Sequence, residues 1–143
     1  MTTLREQITA QTVVALTGAT PAGNNVFRSR EISITRDMVP AIVVMPETLQ
    51  TSRMGQGTDR HELVLVLEVF VRGDPWDSIA DATAEVAHRV MMKDPTIRVY
   101  ALDVRRVSAE YEAQEADRTA GTLSARYAIT FLTRSDDLAV QPV

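Results

Sequence analysis

At 143 residues and 15.8 kDa, with 45% hydrophobic and 24% charged residues, the chain has the size and balance of one globular domain, not of a wholly disordered chain or a fibrous repeat. A net charge of −4 and a pI near 5.1 argue against a protein whose main task is to neutralise nucleic-acid phosphates. The absence of cysteine excludes disulfides, thiolate metal sites and a cysteine nucleophile, and aromatic residues at 5% leave the core to Val, Leu, Ile, Ala and Met.

Thr3-Leu4-Arg5-Glu6 fits a capping box, so a helix is expected to start there, with Leu4, Ile8, Thr12 and Ala15 as its apolar stripe beside Val14 and Leu16. Gly18 and Pro21 stop it, and Ala22 to Asn25 read as a turn. Val26 to Ser29 and Glu31 to Thr35 alternate weakly as short extended pieces, and the β-branched run Ala41 to Met45 reads as a strand. From Pro46 to Asp59 the glycines, hydroxyl residues and weak apolar periodicity predict a long flexible loop.

The clearest strand follows, with Leu63, Leu65, Leu67, Val69 and Val71 on one face and the mixed set Glu62, Val64, Val66, Glu68, Phe70 and Arg72 on the other. Asp74 is the expected N-cap of a second helix with Pro75 at its first position, and Ile79, Thr83, Val86 and Val90 form the expected buried stripe. That helix should stop near Lys93, before Pro95. Ile97 to Leu102 is read as an apolar connector or short strand.

Val104 to Glu112 alternates with Val107, Ala109 and Tyr111 on one side, opposed to Arg106, Ser108, Glu110 and Glu112. Thr122 to Thr133 places Leu123, Ala125, Tyr127, Ile129 and Phe131 together, and the two runs should pair as an antiparallel hairpin with a solvated tip from Gln114 to Gly121. The fold class expected is α+β: a mixed, largely antiparallel sheet of four to five strands with two main helices packed on one face. Residues 1–135 are expected to form a single domain with its long loop at 46–59, and 136–143 a mobile tail.

Chemistry is sparse. Met1 to Ala10 lacks the apolar run of an export signal, and Leu63 to Val71, the longest apolar stretch, is too short to cross a bilayer and contains Glu68. His61 and His88 lack metal-ligand spacing, and His88 reads as a partly buried helical residue rather than a general base. Glu62 and Glu68 share a strand face but lie roughly 20 Å apart, too far for a glycosidase pair. No GxSxG, GxxxxGK[ST] or GxGxxG is present, and Gly55-Gln56-Gly57 reads as a flexible loop. The acidic run Glu110, Glu112, Glu115 and Asp117 lacks EF-hand spacing and fits a solvated tip or an electrostatic partner surface. No enzyme, metal or cofactor is expected.

The series Arg72-Gly73-Asp74-Pro75-Trp76-Asp77, Met92-Lys93-Asp94-Pro95-Thr96, Leu102-Asp103-Val104, Glu115-Ala116-Asp117 and Tyr127-Ala128-Ile129-Thr130 resembles, by order and spacing, the minor tail protein U or tail terminator family of long-tailed bacteriophages and prophages. The resemblance runs from Leu4 to about Thr133. It implies a non-enzymatic subunit of the virion tail, assembled in the bacterial host cytoplasm as a homo-hexameric ring on the head-proximal end of the tail tube. Its partners would be copies of itself, the tail tube protein and the head-tail connector, with the free subunit monomeric until assembly drives closure. DNA would only pass through the lumen, which is expected to be neutral to acidic and not lined by Arg28, Arg30 and Arg36, and no membrane is involved. Another neck or tail-completion protein is the alternative, and a small-ligand-binding α+β domain a further one. The family carries no catalytic motif to transfer, so the candidate assembly interface is chosen on charge: Arg28, Arg30, Arg36 and Arg53 on the basic side, Glu110, Glu112, Glu115 and Asp117 on the acidic side, opposite patches that a head-to-tail contact could use.

Overall fold

A computed structural model describes residues 2–29, 34–114 and 117–142, with the backbone alone at positions 36, 117 and 118. Thr3 opens helix α1 (Leu4–Leu16) through one half of the expected capping box: its Oγ1 accepts from the Glu6 amide at 3.1 Å, while the Glu6 carboxylate is bonded to Arg5 and Arg28. The helix buries Leu4, Ile8, Thr9, Thr12 and Leu16, and the hydroxyls of Thr9 and Thr12 donate to the carbonyls of Arg5 and Ile8 at 2.9 Å, so neither polar group is buried unpaired. Val14 points outward.

Among the described residues, five strands form one sheet in the order β1-β2-β3-β5-β4. The short β1 (Val26–Arg28) runs parallel to β2 (Ala41–Gly55), and a 3₁₀ turn at Arg36–Met38 lies between them in sequence. The remaining neighbours, β3 (Thr58–Arg72), β5 (Asp117–Arg134) and β4 (Ala101–Gln114), pair antiparallel. The fold is α+β with a mixed, largely antiparallel sheet, as the sequence predicts. Helix α2 (Trp76–Lys93) lies across β3 and β5, α1 packs beside it toward β1 and β2, and the short α3 (Pro95–Tyr100) leads into β4.

The core is one cluster between these layers. Leu63, Leu65, Leu67, Val69 and Val71 of β3 and Leu123, Ala125, Tyr127, Ile129 and Phe131 of β5 face Leu4, Ile8 and Leu16 of α1 and Ala80, Ala84, Ala87 and Met91 of α2. Each fully buried Leu, Ile or Phe contributes roughly 1.5–3 kcal/mol, so the aliphatic alternation of β3 and β5 is what holds the helices down. On α2 the buried line is Ala80, Thr83, Ala84, Ala87 and Met91, so Ile79, Val86 and Val90 flank the seam instead of forming it. Alanines let the helix approach bulky Tyr127 and the leucines of the sheet.

Several expectations are corrected. The segment from Pro46 to Asp59 is not a flexible loop but the outer halves of β2 and β3, paired from Thr48↔Val64 to Gly55↔Thr58. Apart from exposed Leu49 and Met54 its side chains are mostly polar on both faces, so backbone pairing to β3 makes the strand and burial leaves no periodic signature. Gly55-Gln56-Gly57 is the hairpin turn, with Gly57 at φ +77°, a conformation that costs glycine nothing. Asp74 does not cap α2, because extended Pro75 occupies the cap position and no side chain bonds there. Ile97 to Tyr100 belongs to α3, which starts because Asp94 Oδ2 accepts from the Ile97 amide at 2.9 Å with Pro95 in the first turn.

Between Arg106 and Ser108 the β4 register shifts, so Val107 is the extra residue and Arg106 shares the helix-side face with Tyr111. The expected solvated tip narrows, since β5 begins at Asp117 and Ala120 and Gly121 are buried. The tail is hydrogen-bonded to the rest of the fold: Leu4 N donates to Leu138 O and Arg134 N to Val140 O, both at 2.9 Å, and Gln141 Nε2 reaches the Val99 carbonyl at 3.0 Å. Residues 30–33, 115, 116 and 143 lie outside the described residues.

Candidate functional site

One face of the sheet carries the helices; the other carries none of the three. Pairing places its side chains in rows. Phe27, Val43, Glu68, Ser124 and Glu110 form one row across all five strands, with Met45, Val66, Arg126 and Ser108 in the next. The β1–β3 half is therefore mostly apolar and the β5–β4 half charged. Val43, Val66 and Ala128 are nonetheless nearly inaccessible.

Arg126 organises the charged half. Its Nε donates to Glu47 Oε2 of β2 at 2.9 Å, spanning β3, and its Nη1 lies 3.4 Å from Glu110 Oε1 of β4. Nη1 is buried without a well-formed hydrogen bond. Glu68 stands beside this arginine, and its burial holds the carboxyl above the usual carboxylate range, opposed by Arg126 and assisted by Glu112. Further along, Arg105 reaches Glu62 at 3.4 Å and Asp103 at 4.0 Å. Glu62 and Glu68 thus do share a face without meeting, and Glu62 pairs within its own chain.

The charged residues singled out by sequence do not converge. Arg28 ends β1 on the helix side and is ion-paired with Glu6 of α1, which lowers the Glu6 carboxyl through that hydrogen bond and raises Arg28 by the same contact. Arg53 sits near the β2–β3 turn, 2.9 Å from Asp59. Glu110 and Glu112 lie on β4 at the opposite edge, about 19 Å from β1 at ~4.8 Å per strand. Arg36 and Asp117 are placed by backbone alone, at the 3₁₀ turn and the start of β5, and Arg30 and Glu115 lie outside the described residues. A continuous basic patch is therefore not formed by Arg28 and Arg53, each of which is neutralised locally. Sequence reasoning missed Glu47 and Arg126; the one signal for them was a charged residue at a polar-face position of an otherwise apolar strand.

Two histidine sites complete the polar chemistry. His61 is 2% exposed, stacks on Phe131 at 4.9 Å, and links three strands: Nδ1 to Thr51 Oγ1 and Nε2 to Thr133 Oγ1, each 2.8 Å. Thr133 Oγ1 also donates to the Arg134 carbonyl, so it accepts from Nε2–H, and Nδ1 accepts from Thr51. Burial pushes the ring pKa down, with Asp59 partly opposing. His88 lines an open cleft of about 330 Å³ between α2 and β4 with Asp81, Glu85, Arg106 and Tyr111. Tyr127, pushed up to about 12 by burial, stays protonated and shares a 2.8 Å hydrogen bond with His88 Nδ1, while Tyr111 donates to Asp81 at 2.5 Å. These groups satisfy one another, which suits packing of β4 against α2 more than nucleophilic or acid–base work. Among the described residues no group of three or more His, Asp and Glu is placed to hold a metal ion.

No family model matches the chain, and no curated protein matches it. Among solved structures, the chain is similar in fold to a chain from the virion of a native gene transfer agent particle, at 10% identity and a TM-score of 0.52, with 91% of this chain and 92% of that one covered.

Proposed function

We propose that the chain is a structural subunit of a phage-type virion, which closes the head-proximal end of a tail tube as a ring of identical copies, stops tube polymerisation and offers the head connector a joining surface. The observation that carries this reading is the shared fold with a gene transfer agent virion chain over nearly the full length of both. The ordered tail-terminator motifs from Arg72-Gly73-Asp74-Pro75 to Tyr127-Ala128-Ile129-Thr130 supply the finer assignment to the tube end. Function then rests on binding, not turnover. A ring seated on the last tube layer removes the docking site of the next tube subunit, and a second surface receives the connector.

In this reading the Glu47–Arg126–Glu110 strip of the helix-free sheet face is a contact surface within the assembled particle. Its acidic excess keeps it from gripping DNA that passes nearby. The test is tube growth: the tail tube protein encoded with this chain is polymerised with and without it, and lengths are measured by electron microscopy. Shortened tubes of uniform length support the proposal. Unchanged tubes, together with binding to purified connector alone, transfer the chain to the neck-protein class.

A further inference from the structure

The sheet has two free edges. β1 covers β2 only at Ile42, Val43 and Val44, and among the described residues no strand lies outside the rest of β2 or outside β4. Proteins usually blunt such edges with lysine, proline or irregular pairing, since unpaired amides and carbonyls template a further strand. Here Thr48 to Arg53 and Ser108 to Ala113 are regularly paired on their inner sides, and neither holds a lysine or proline. Of the eight large apolar side chains that the described residues leave exposed, five stand on these two strands: Leu49, Met54, Leu102, Val107 and Tyr111. From β2 through β3 and β5 to β4 each pairing is antiparallel, so the two edges run in opposite directions.

We infer that β4 of one copy adds to the free edge of β2 of the next copy as an antiparallel strand, making the sheet continuous between subunits. A head-to-tail repeat keeps all helices on one side, and that fixes which side chains share a face. Thr51 is on the helix side with its partner His61, and Tyr111 on the same side, where it bonds Asp81 of α2. Ser52 and Glu110 are both on the helix-free face, the first in the row of Arg60 and the second in the row of Glu68. Matching faces allows a register with Thr51 opposite Tyr111 and Ser52 opposite Glu110. That register leaves Gln114 opposite Thr48, clear of β1, covers Leu49 with Ala113, and lets Arg60 reach across small Ser52 toward Glu110. No like charges face each other in the stretch. The contact is heterologous, so it closes into a ring or grows, as rotation dictates.

This deepens the self-assembling reading proposed above and rests on it for the closed ring, but strand pairing is measured separately from tail capping. Because the chain has no cysteine, single cysteines report the contact. T51C protein is mixed with A109C, Y111C or A113C protein and oxidised, with R89C on exposed α2 as the collision control. A link between positions 51 and 111 cannot form within one chain, since their rows on β5, Phe131 and Leu123, are about 27 Å apart and a disulfide needs Cα atoms within ~7 Å. The expected result is a 51–111 product at least tenfold above control, with the best partner moving to 109 for R53C and to 113 for L49C. No product above control, a partner that moves in the opposite sense, or a 51–51 product alone would overturn the inference. Cross-linking in register by a protein that leaves tube length unchanged would break the tail reading and keep the strand pairing; capping without cross-links would do the reverse.

Discussion

Gly121 lies on β5 with the indole of Trp76, the chain's one tryptophan, pressed against it. A Cβ added there would sit 2.6 Å from Cζ3 of Trp76 and closer still to Cε3 and Cδ2. Two effects oppose each other in Gly121→Ala. Replacing a strand glycine gains roughly 0.5–1 kcal/mol by restricting the unfolded chain. Pushing a rigid ring system away by about an ångström costs roughly 1–3 kcal/mol, and a half-buried indole held at its base by α2 has no flexible end that can yield. The steric cost wins, so Gly121→Ala should destabilise by about 1–2 kcal/mol. In a Trp76→Leu background the obstruction is gone, and the same change should be neutral or stabilising by up to about 1 kcal/mol. The assay is urea unfolding followed by far-ultraviolet circular dichroism with the slope held constant, completed as a double-mutant cycle. Trp76 fluorescence in Gly121→Ala should also shift toward that of a more solvated indole. A Gly121→Ala protein as stable as the parent, with additive behaviour in the cycle, would refute the packing argument.

Other consequences are equally concrete. The His61 ring has its pKa lowered by burial, so its contribution to stability is complete above the unfolded value of about 6.5 and is lost as pH falls through the folded value. Melting temperature should therefore fall from pH 7.5 to 5, and His61→Gln should flatten that slope while lowering the plateau. Arg126→Met removes the cation between Glu47, Glu68 and Glu110; the expected loss is about 1–2 kcal/mol at pH 7, smaller near pH 4.5, with the Glu68 carboxyl titrating higher by NMR. Thr3→Ala should cost about 1 kcal/mol, and Thr3→Ser should restore most of it, in the same urea assay.

Where structure follows from neighbours in sequence, the chain is legible. The Thr3 N-cap, the alternation of β3 and β5 and the hairpin of β4 with β5 are local patterns, and each stands in the structure at its expected place. The outer half of β2 is not legible, because Thr48, Gln50 and Ser52 on one face and Leu49, Thr51 and Arg53 on the other carry no apolar contrast. Its strand character is imposed by β3. The single extra residue at Val107 likewise reverses the expected facing of Arg106, and nothing in composition marks a bulge. On α2, alanines win the seam from valines because closeness to the sheet matters more there than side-chain size. On the helix-free face the list of charged positions contains Glu110 but not its ion-pair partner Arg126, because that pairing depends on cross-strand register.

The central claim is that copies of this chain act together at one end of a tail tube. The direct measurement is to label the purified protein, add it to preformed tubes and image them by electron microscopy. Ring-shaped density at one end of each tube, with bare walls and a bare opposite end, is the predicted result. Label spread along the walls, or none on the tubes at any concentration, would contradict the account.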